Sequence, residues 1–231
     1  MKYKGVLFDL DGTLLPLDLD GFIRDYFRAL SASVAEHVEP QRFVAALLQS
    51  TQVMLNNDGS KTNSQVFTEH FFPLLDCQPD TLMPMFERFY REKFPELGRD
   101  IKPIPQARQA VEAALAGGAK IVLATNPVFP RAAVDARLKW ADLADIEFDW
   151  VTSYENSRYC KPNPGYYTDI LDKINLDPSE CLMVGNDTRE DASAAAVGMD
   201  TFLVEGYIVE HPSADTSTWR GSWQDLLELL R

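Results

Sequence analysis

The sequence predicts an α/β fold, a Rossmann-like parallel sheet core with an inserted α-helical cap. Three observations carry that reading. Five short apolar runs are spread along the chain, and amphipathic segments separate most of them. One long stretch near the N-terminus has helical periodicity and no convincing strand. Polar, acid-rich segments follow several of the apolar runs at once.

The runs are Tyr3–Phe8, Lys120–Ala124, Phe148–Thr152, Cys181–Val184 and Thr201–Val204. Each is continuous rather than alternating, as parallel strands covered on both faces must be. The intervening segments carry helix signals. Pro105 suits a first helical turn and Gly117-Gly118 a C-terminal cap. Asn163-Pro164 reads as an N-cap with proline behind it. A further helix is expected from Arg189 to Gly198. Ser222-Trp223-Gln224-Asp225 resembles a capping box opening a last helix over Leu226–Leu230. Strand alternating with helix means a doubly wound parallel sheet.

The stretch from 17 to 98 differs. It reads as helices over Phe22–Val38, Gln41–Asn56, Gln65–Leu75 and Thr81–Phe94, with Phe, Leu and Met at helical spacing. The expected organisation is therefore a core of residues 1–16 and 99–231 and a helical cap of residues 17–98. The cap's aromatics read as bundle core. Asp58-Gly59-Ser60-Lys61-Thr62-Asn63 is a polar turn within it. Lys61 in that turn is open to either solvent or substrate.

Composition narrows the function. The formal net charge of −13 argues against a general nucleic-acid binder and a polybasic membrane-surface protein. The apolar stretch after Met1-Lys2-Tyr3-Lys4 is too short for a secretory core or a membrane span. Cys77, Cys160 and Cys181 show no zinc spacing and no disulfide framework. They read as small apolar residues of a protein in a reducing cytoplasm. Oligomeric state is not written in the sequence.

Candidate chemistry sits where the strand-like runs end. Asp9-Leu10-Asp11-Gly12-Thr13 follows the first run, Thr125-Asn126-Pro127 the second, and Gly185-Asn186-Asp187 with Asp191 the fourth. In an open parallel sheet these loops converge on the ligand crevice. Asp9, Asp11, Asp187 and Asp191 are expected to gather there, where their mutual repulsion asks for a divalent cation. Oxygen-only donors favour Mg²⁺ over Zn²⁺. Lys161 and the Thr125 hydroxyl supply the complementary sign for a bound anion, and Gly12 permits close backbone approach.

Taken together, these motifs resemble those of the haloacid dehalogenase-like hydrolase superfamily. Asp9 to Leu14 is similar to its first motif, Thr125 to its second, Lys161 to its third, and Gly185-Asn186-Asp187 with Asp191 to its acidic fourth, all in the expected order. The position of the helical insert resembles the branch capped between the first and second motifs. The resemblance implies an Mg²⁺-dependent phosphatase acting on a small-molecule phosphate monoester. Asp9 would be the nucleophile, forming an aspartyl-phosphate, and a metal ligand. Asp11 would be the general acid and then base, its backbone carbonyl also binding metal. Asp187 would ligate Mg²⁺, and Asp191 would act directly, through water or through Lys161. Thr125 and Lys161 would hold the phosphoryl group, with Gly12, Thr13 and Asn126 around it. An acid at position 11 favours an alkoxide leaving group, which needs a proton, over halide, which does not.

Simpler readings compete at single positions. Asp18 and Asp20 read as solvated or capping residues, Glu36 as a solvated face, and His37, His70 and His211 as surface or packing residues. Two other functions stay open on the sequence: a phosphosugar mutase of the same family, and a non-catalytic binding protein retaining the fold.

Overall fold

The computed structural model describes residues 2–231; the side chain of Asp20 lies outside the described part, as does Met1. Six parallel strands form one sheet in the order β3-β2-β1-β4-β5-β6. They are β1 (Gly5–Phe8), β2 (Lys120–Leu123), β3 (Trp150–Val151), β4 (Cys181–Gly185), β5 (Asp200–Val204) and β6 (Trp219–Gly221). β1 lies at the centre, paired with β2 on one side and β4 on the other. The strand order reverses across β1, so the crevice outside its carboxyl end is the natural ligand position.

Side chains alternate across the sheet into two buried faces. Val6, Phe8, Ile121, Leu123, Leu182 and Val184 join one core cluster. Leu7, Val122 and Met183 join the other, with Tyr166, Tyr167 and Ile170 of helix α7 (Pro164–Ile174). Burial on both faces is why the strands read as unbroken apolar runs.

Four helices separate β1 from the rest of the core: α1 (Leu19–Ser33), α2 (Pro40–Leu55), α3 (Asn63–Leu75) and α4 (Pro79–Glu92). A 3-10 segment, Phe94–Gly98, leads back towards α5 (Pro105–Ala116). Asp18 caps α1, accepting the Gly21 amide at 3.2 Å. Thr62 and Gln65 form a capping box on α3. The aromatics of this region pack as a cluster: Phe22, Tyr26, Phe89 and Phe94 lie within ring-contact distance of one another or of Phe129 in the core.

Two expectations need correction. β3 keeps only two residues of the expected Phe148–Thr152 run. The segment expected as a helix from Arg189 to Gly198 is a 3-10 helix over Ala192–Val197, because the turn before it is taken up by hydrogen bonds to Asp187 and Asp191. A sixth strand, β6, and a helix α6 (Arg131–Trp140) were not anticipated. The final helix, α8 (Trp223–Leu229), starts from the expected Ser222 capping box. Among the described residues, no helix is long and apolar enough to cross a membrane.

Candidate active site

β1 delivers Asp9 directly. The ladder continues one residue past the strand, the Asp9 amide donating to Val184 O at 2.8 Å. On the other side Ala124 N donates to Phe8 O at 2.7 Å, which fixes the residue before Thr125. After Asp9 the chain folds into a tight turn. Gly12 takes φ +81°, and a Cβ there would meet Asn186 Nδ2 at 2.4 Å, so glycine is required on both counts. Gly185 is equally constrained from the other side: its Cβ would stand 2.2 Å from Asp191 Cγ.

The carboxylates expected to converge do come to the carboxyl ends of β1 and β4, yet each is met by a cationic or N–H partner, Asp9 and Asp191 sharing one. Lys161 Nζ, fully buried, donates to Asp9 Oδ1 at 2.8 Å and to Asp191 Oδ1 at 2.6 Å. Asp191 Oδ2 accepts the amides of Asn186 and Asp187 at 2.9 and 3.0 Å. Asp11 is ion-paired with Arg137 of α6. Asp187 Oδ1 accepts the Arg189 and Glu190 amides, both at 2.7 Å, and its Oδ2 lies 3.1 Å from His211 Nε2. The expected four-way repulsion is therefore relieved by the protein's own groups. Among the described residues, no three His, Cys, Asp or Glu side chains close around one point as a metal-holding group.

The electrostatics follow. Burial holds the Asp9 carboxyl well above the usual carboxylate range; Lys161 opposes this, while Asp191 adds to it. Burial alone would lower Lys161, but Asp191 and Asp9 outweigh it and keep the ammonium charged. Glu190, half-buried behind the site with its carboxylate 2.9 Å from Asn126 Nδ2, is pushed up to about 7, chiefly by removal from solvent.

The remaining residues fall around this centre. Thr13 Oγ1 donates to Asp9 Oδ2 at 3.2 Å or to Asn186 Oδ1 at 3.1 Å. Asn126 Oδ1 accepts the Lys161 amide at 3.2 Å, linking the second and third motif loops. Thr125 is buried, and its carbonyl accepts from Thr152 Oγ1 and Tyr166 OH.

Three residues were missed. Arg137 lies in α6, with further basic residues at 131 and 139, where neither a helix nor a site residue was expected. Glu190 falls in the segment expected as a helix from Arg189 to Gly198 and was given no role. His211, expected at the surface or in packing, reaches Asp187 from a loop with no motif. The sequence carries a signal only for Arg137, which lies between Ala136 and Leu138 and one turn after Ala133 and Val134.

The polar turn of the insert docks on the core. Asn63 Nδ2 donates to Pro127 O at 3.2 Å and lies 3.3 Å from Cys160 Sγ, and Gly59 packs against Tyr159. Lys61 pairs with Glu69 at 2.6 Å. A separate cavity of about 850 Å³ lies between the insert helices and α6. Tyr26, Phe43, Phe71, Phe86 and Tyr90 face it from the insert, and Phe129 from the core.

Fold and site together define a doubly wound α/β enzyme with a buried acidic centre at the end of its central strand. The chain belongs to the haloacid dehalogenase-like hydrolase family, whose sequence profile matches residues 3–198. Curated relatives include a phosphoglycolate phosphatase of Nitrosospira multiformis, 28% identical over 210 residues, covering 88% of this chain and 84% of that one. An N-acetylmuramic acid 6-phosphate phosphatase of Pseudomonas aeruginosa is 27% identical over 225 residues, covering 95% and 88%. Among solved structures, a phosphatase of the family from Thermococcus onnurineus superposes with a TM-score of 0.63 at 21% identity, covering 98% of this chain and 97% of that one. An L-2-haloacid dehalogenase from Xanthobacter autotrophicus gives 0.58 at 19% identity, covering 99% and 98%. The family and the α/β core read from the sequence are borne out.

Proposed function

We propose that this hydrolase is a phosphatase for a small-molecule phosphate monoester, working through an aspartyl-phosphate on Asp9 with Mg²⁺ bound. The observation that carries the reading is the pairing of Asp9 with Lys161 at 2.8 Å, while Asp11, two residues on, is held apart by Arg137. One carboxylate is thus fixed at the strand end beside a cation suited to a phosphoryl oxygen. The other is placed separately. The phosphatase names of the relatives support the same class.

The donor set fits a hard cation. Asp9 and Asp187 would offer carboxylate oxygens, Asp187 through Oδ2 on giving up its 3.1 Å contact with His211, and Asp11 would offer a backbone carbonyl. Asp191 has both oxygens engaged, so of its possible routes the one through Lys161 fits best. When bound, Mg²⁺ supplies charge that keeps Asp9 ionised and offsets its repulsion from phosphate.

The chemistry of the chain's own residues follows. An Asp9 oxygen attacks phosphorus as the bond to the leaving oxygen breaks. Asp11 gives that oxygen its proton. Water then attacks the phosphoaspartate, Asp11 takes the water's proton, and inorganic phosphate leaves. Lys161 neutralises a phosphoryl oxygen in both steps, and Thr125 donates its hydroxyl. The insert of residues 17–98 acts as a cap that contacts the leaving group, since the core motifs touch only the phosphoryl end.

A panel of phosphate monoesters assayed for phosphate release, with Mg²⁺ and with excess chelator, tests the reading. Release that depends on metal supports it. Full activity in chelator, or no release from any ester, contradicts it.

A further inference from the structure

Arg137 is the largest fully buried side chain outside the family motifs. Its Nη1 donates to Asp11 Oδ2, its Nε donates to Ala133 O at 3.2 Å, and its guanidinium lies 4.4 Å from the centre of the Phe129 ring. A buried cation is costly, and every one of its N–H groups is expected to find an acceptor. Here Arg137 Nη2 has none. On the other side of the same ion pair, Asp11 Oδ1 is also buried and has no hydrogen-bond partner. One pair thus carries an unused donor and an unused acceptor.

We propose that Arg137 is the positioning residue for Asp11: it grips Oδ2, leaves Oδ1 with no competing donor, and so holds the carboxyl in one direction for proton exchange. This rests on the phosphatase reading above and names a residue that the motifs do not supply. The geometry argues for it in two steps. A carboxylate on a turn can rotate, and a proton-transferring group must be held in one direction. The planar guanidinium, itself clamped by Ala133 O and the Phe129 ring, provides that hold better than a flexible ammonium.

The test compares leaving groups. Para-nitrophenyl phosphate needs little proton assistance and phenyl phosphate needs more. With Mg²⁺ present, Arg137→Met is expected to lower kcat on phenyl phosphate by about 100-fold, the usual scale of a positioned acid. On para-nitrophenyl phosphate the expected fall is under about tenfold, with KM little changed on either. Arg137→Lys keeps a charge without the fork and is expected to fall between wild type and Arg137→Met on phenyl phosphate only. Adding Arg137→Met to Asp11→Asn is expected to cost nothing further, since both remove the same function. Equal losses on both esters, or additive losses in the double variant, would overturn the proposal. If Arg137→Met does not fold, Arg137→Lys carries the same comparison, and equal losses there overturn it. A wild-type protein inactive on both esters would instead remove the phosphatase reading, and this proposal with it.

Discussion

Lys161 and Asp191 form a buried ion pair, Nζ to Oδ1 2.6 Å, and the opposite oxygen of Asp191 accepts two consecutive backbone amides of the fourth motif loop. Asp191 therefore ties the loop after β4 to the lysine that stands beside Asp9. Removing one partner of such a pair strands a buried charge, at about 3–5 kcal/mol. Lys161→Met is predicted to lower the urea midpoint accordingly and to abolish phosphate release. Asp191→Asn, which keeps an acceptor for the two amides, is predicted to destabilise less and still lose most activity. Near-normal turnover in either variant would show that the pair does not serve the reaction.

Gly185 supplies a sharper probe of the same arrangement. A methyl group there would stand 2.2 Å from Asp191 Cγ, so Gly185→Ala must push that carboxylate off Lys161. The predicted outcome is a variant that keeps the β-sheet signal in far-ultraviolet circular dichroism and loses activity as Asp191→Asn does. Gly118→Ala is the control. Gly118 has φ +79° with no atom within 4 Å of its Cβ, so stability should suffer and the catalytic rate of the folded protein should not.

Glu190 gives a pH prediction. Burial raises it from 4.5 to about 7 in the folded protein, with Lys161 opposing the rise and Asp191 and Asp187 adding to it. The folded state then binds more protons than the unfolded state between those two values. Its contribution to stability is complete below about 4.5 and is lost as pH rises through about 7. In metal-free protein, Tm of Glu190→Gln minus Tm of wild type is predicted to grow across that window. Asp9 is raised in both proteins, so its effect cancels in the difference. Parallel Tm profiles would contradict the assignment.

The sequence made the sheet and the order of the motif loops legible because both are local. Val6-Leu7-Phe8 and Leu182-Met183-Val184 are apolar on both faces, and Asp9 and Asn186 follow such runs closely. β6 was not legible: three residues with an exposed Arg220 in the middle become a strand only by pairing with β5. The pairing of Asp11 with Arg137 spans 126 residues, and that of Asp187 with His211 spans 24. No periodicity encodes which distant side chain will meet which carboxylate. For that reason the four acids read as a mutually repelling cluster, when Lys161, Arg137 and the His211 ring divide them.

The insert is predicted to select the substrate. Its polar turn, through Asn63, docks on Pro127 and Cys160 beside the loops that carry Thr125 and Lys161, and its aromatics line a cavity of about 850 Å³ against Phe129. Exchanging residues 17–98 for the corresponding segment of a relative should change the ranking of esters in the substrate panel while leaving the response to chelator unchanged. An unchanged ranking would place selectivity in the core.

The central claim is that Asp9, and not Asp11, takes the phosphoryl group. The two carboxylates are two residues apart, and their partners distinguish them: Asp9 lies 2.8 Å from Lys161 at the end of β1, whereas Asp11 is held by Arg137 in the turn beyond. The most direct measurement is mass spectrometry of peptides from enzyme quenched in acid during turnover of para-nitrophenyl phosphate. Phosphate is predicted on Asp9 alone, absent from Asp9→Asn and still formed in Asp11→Asn. Phosphate on Asp11, or an Asp9→Asn enzyme that is labelled and active, would contradict the account.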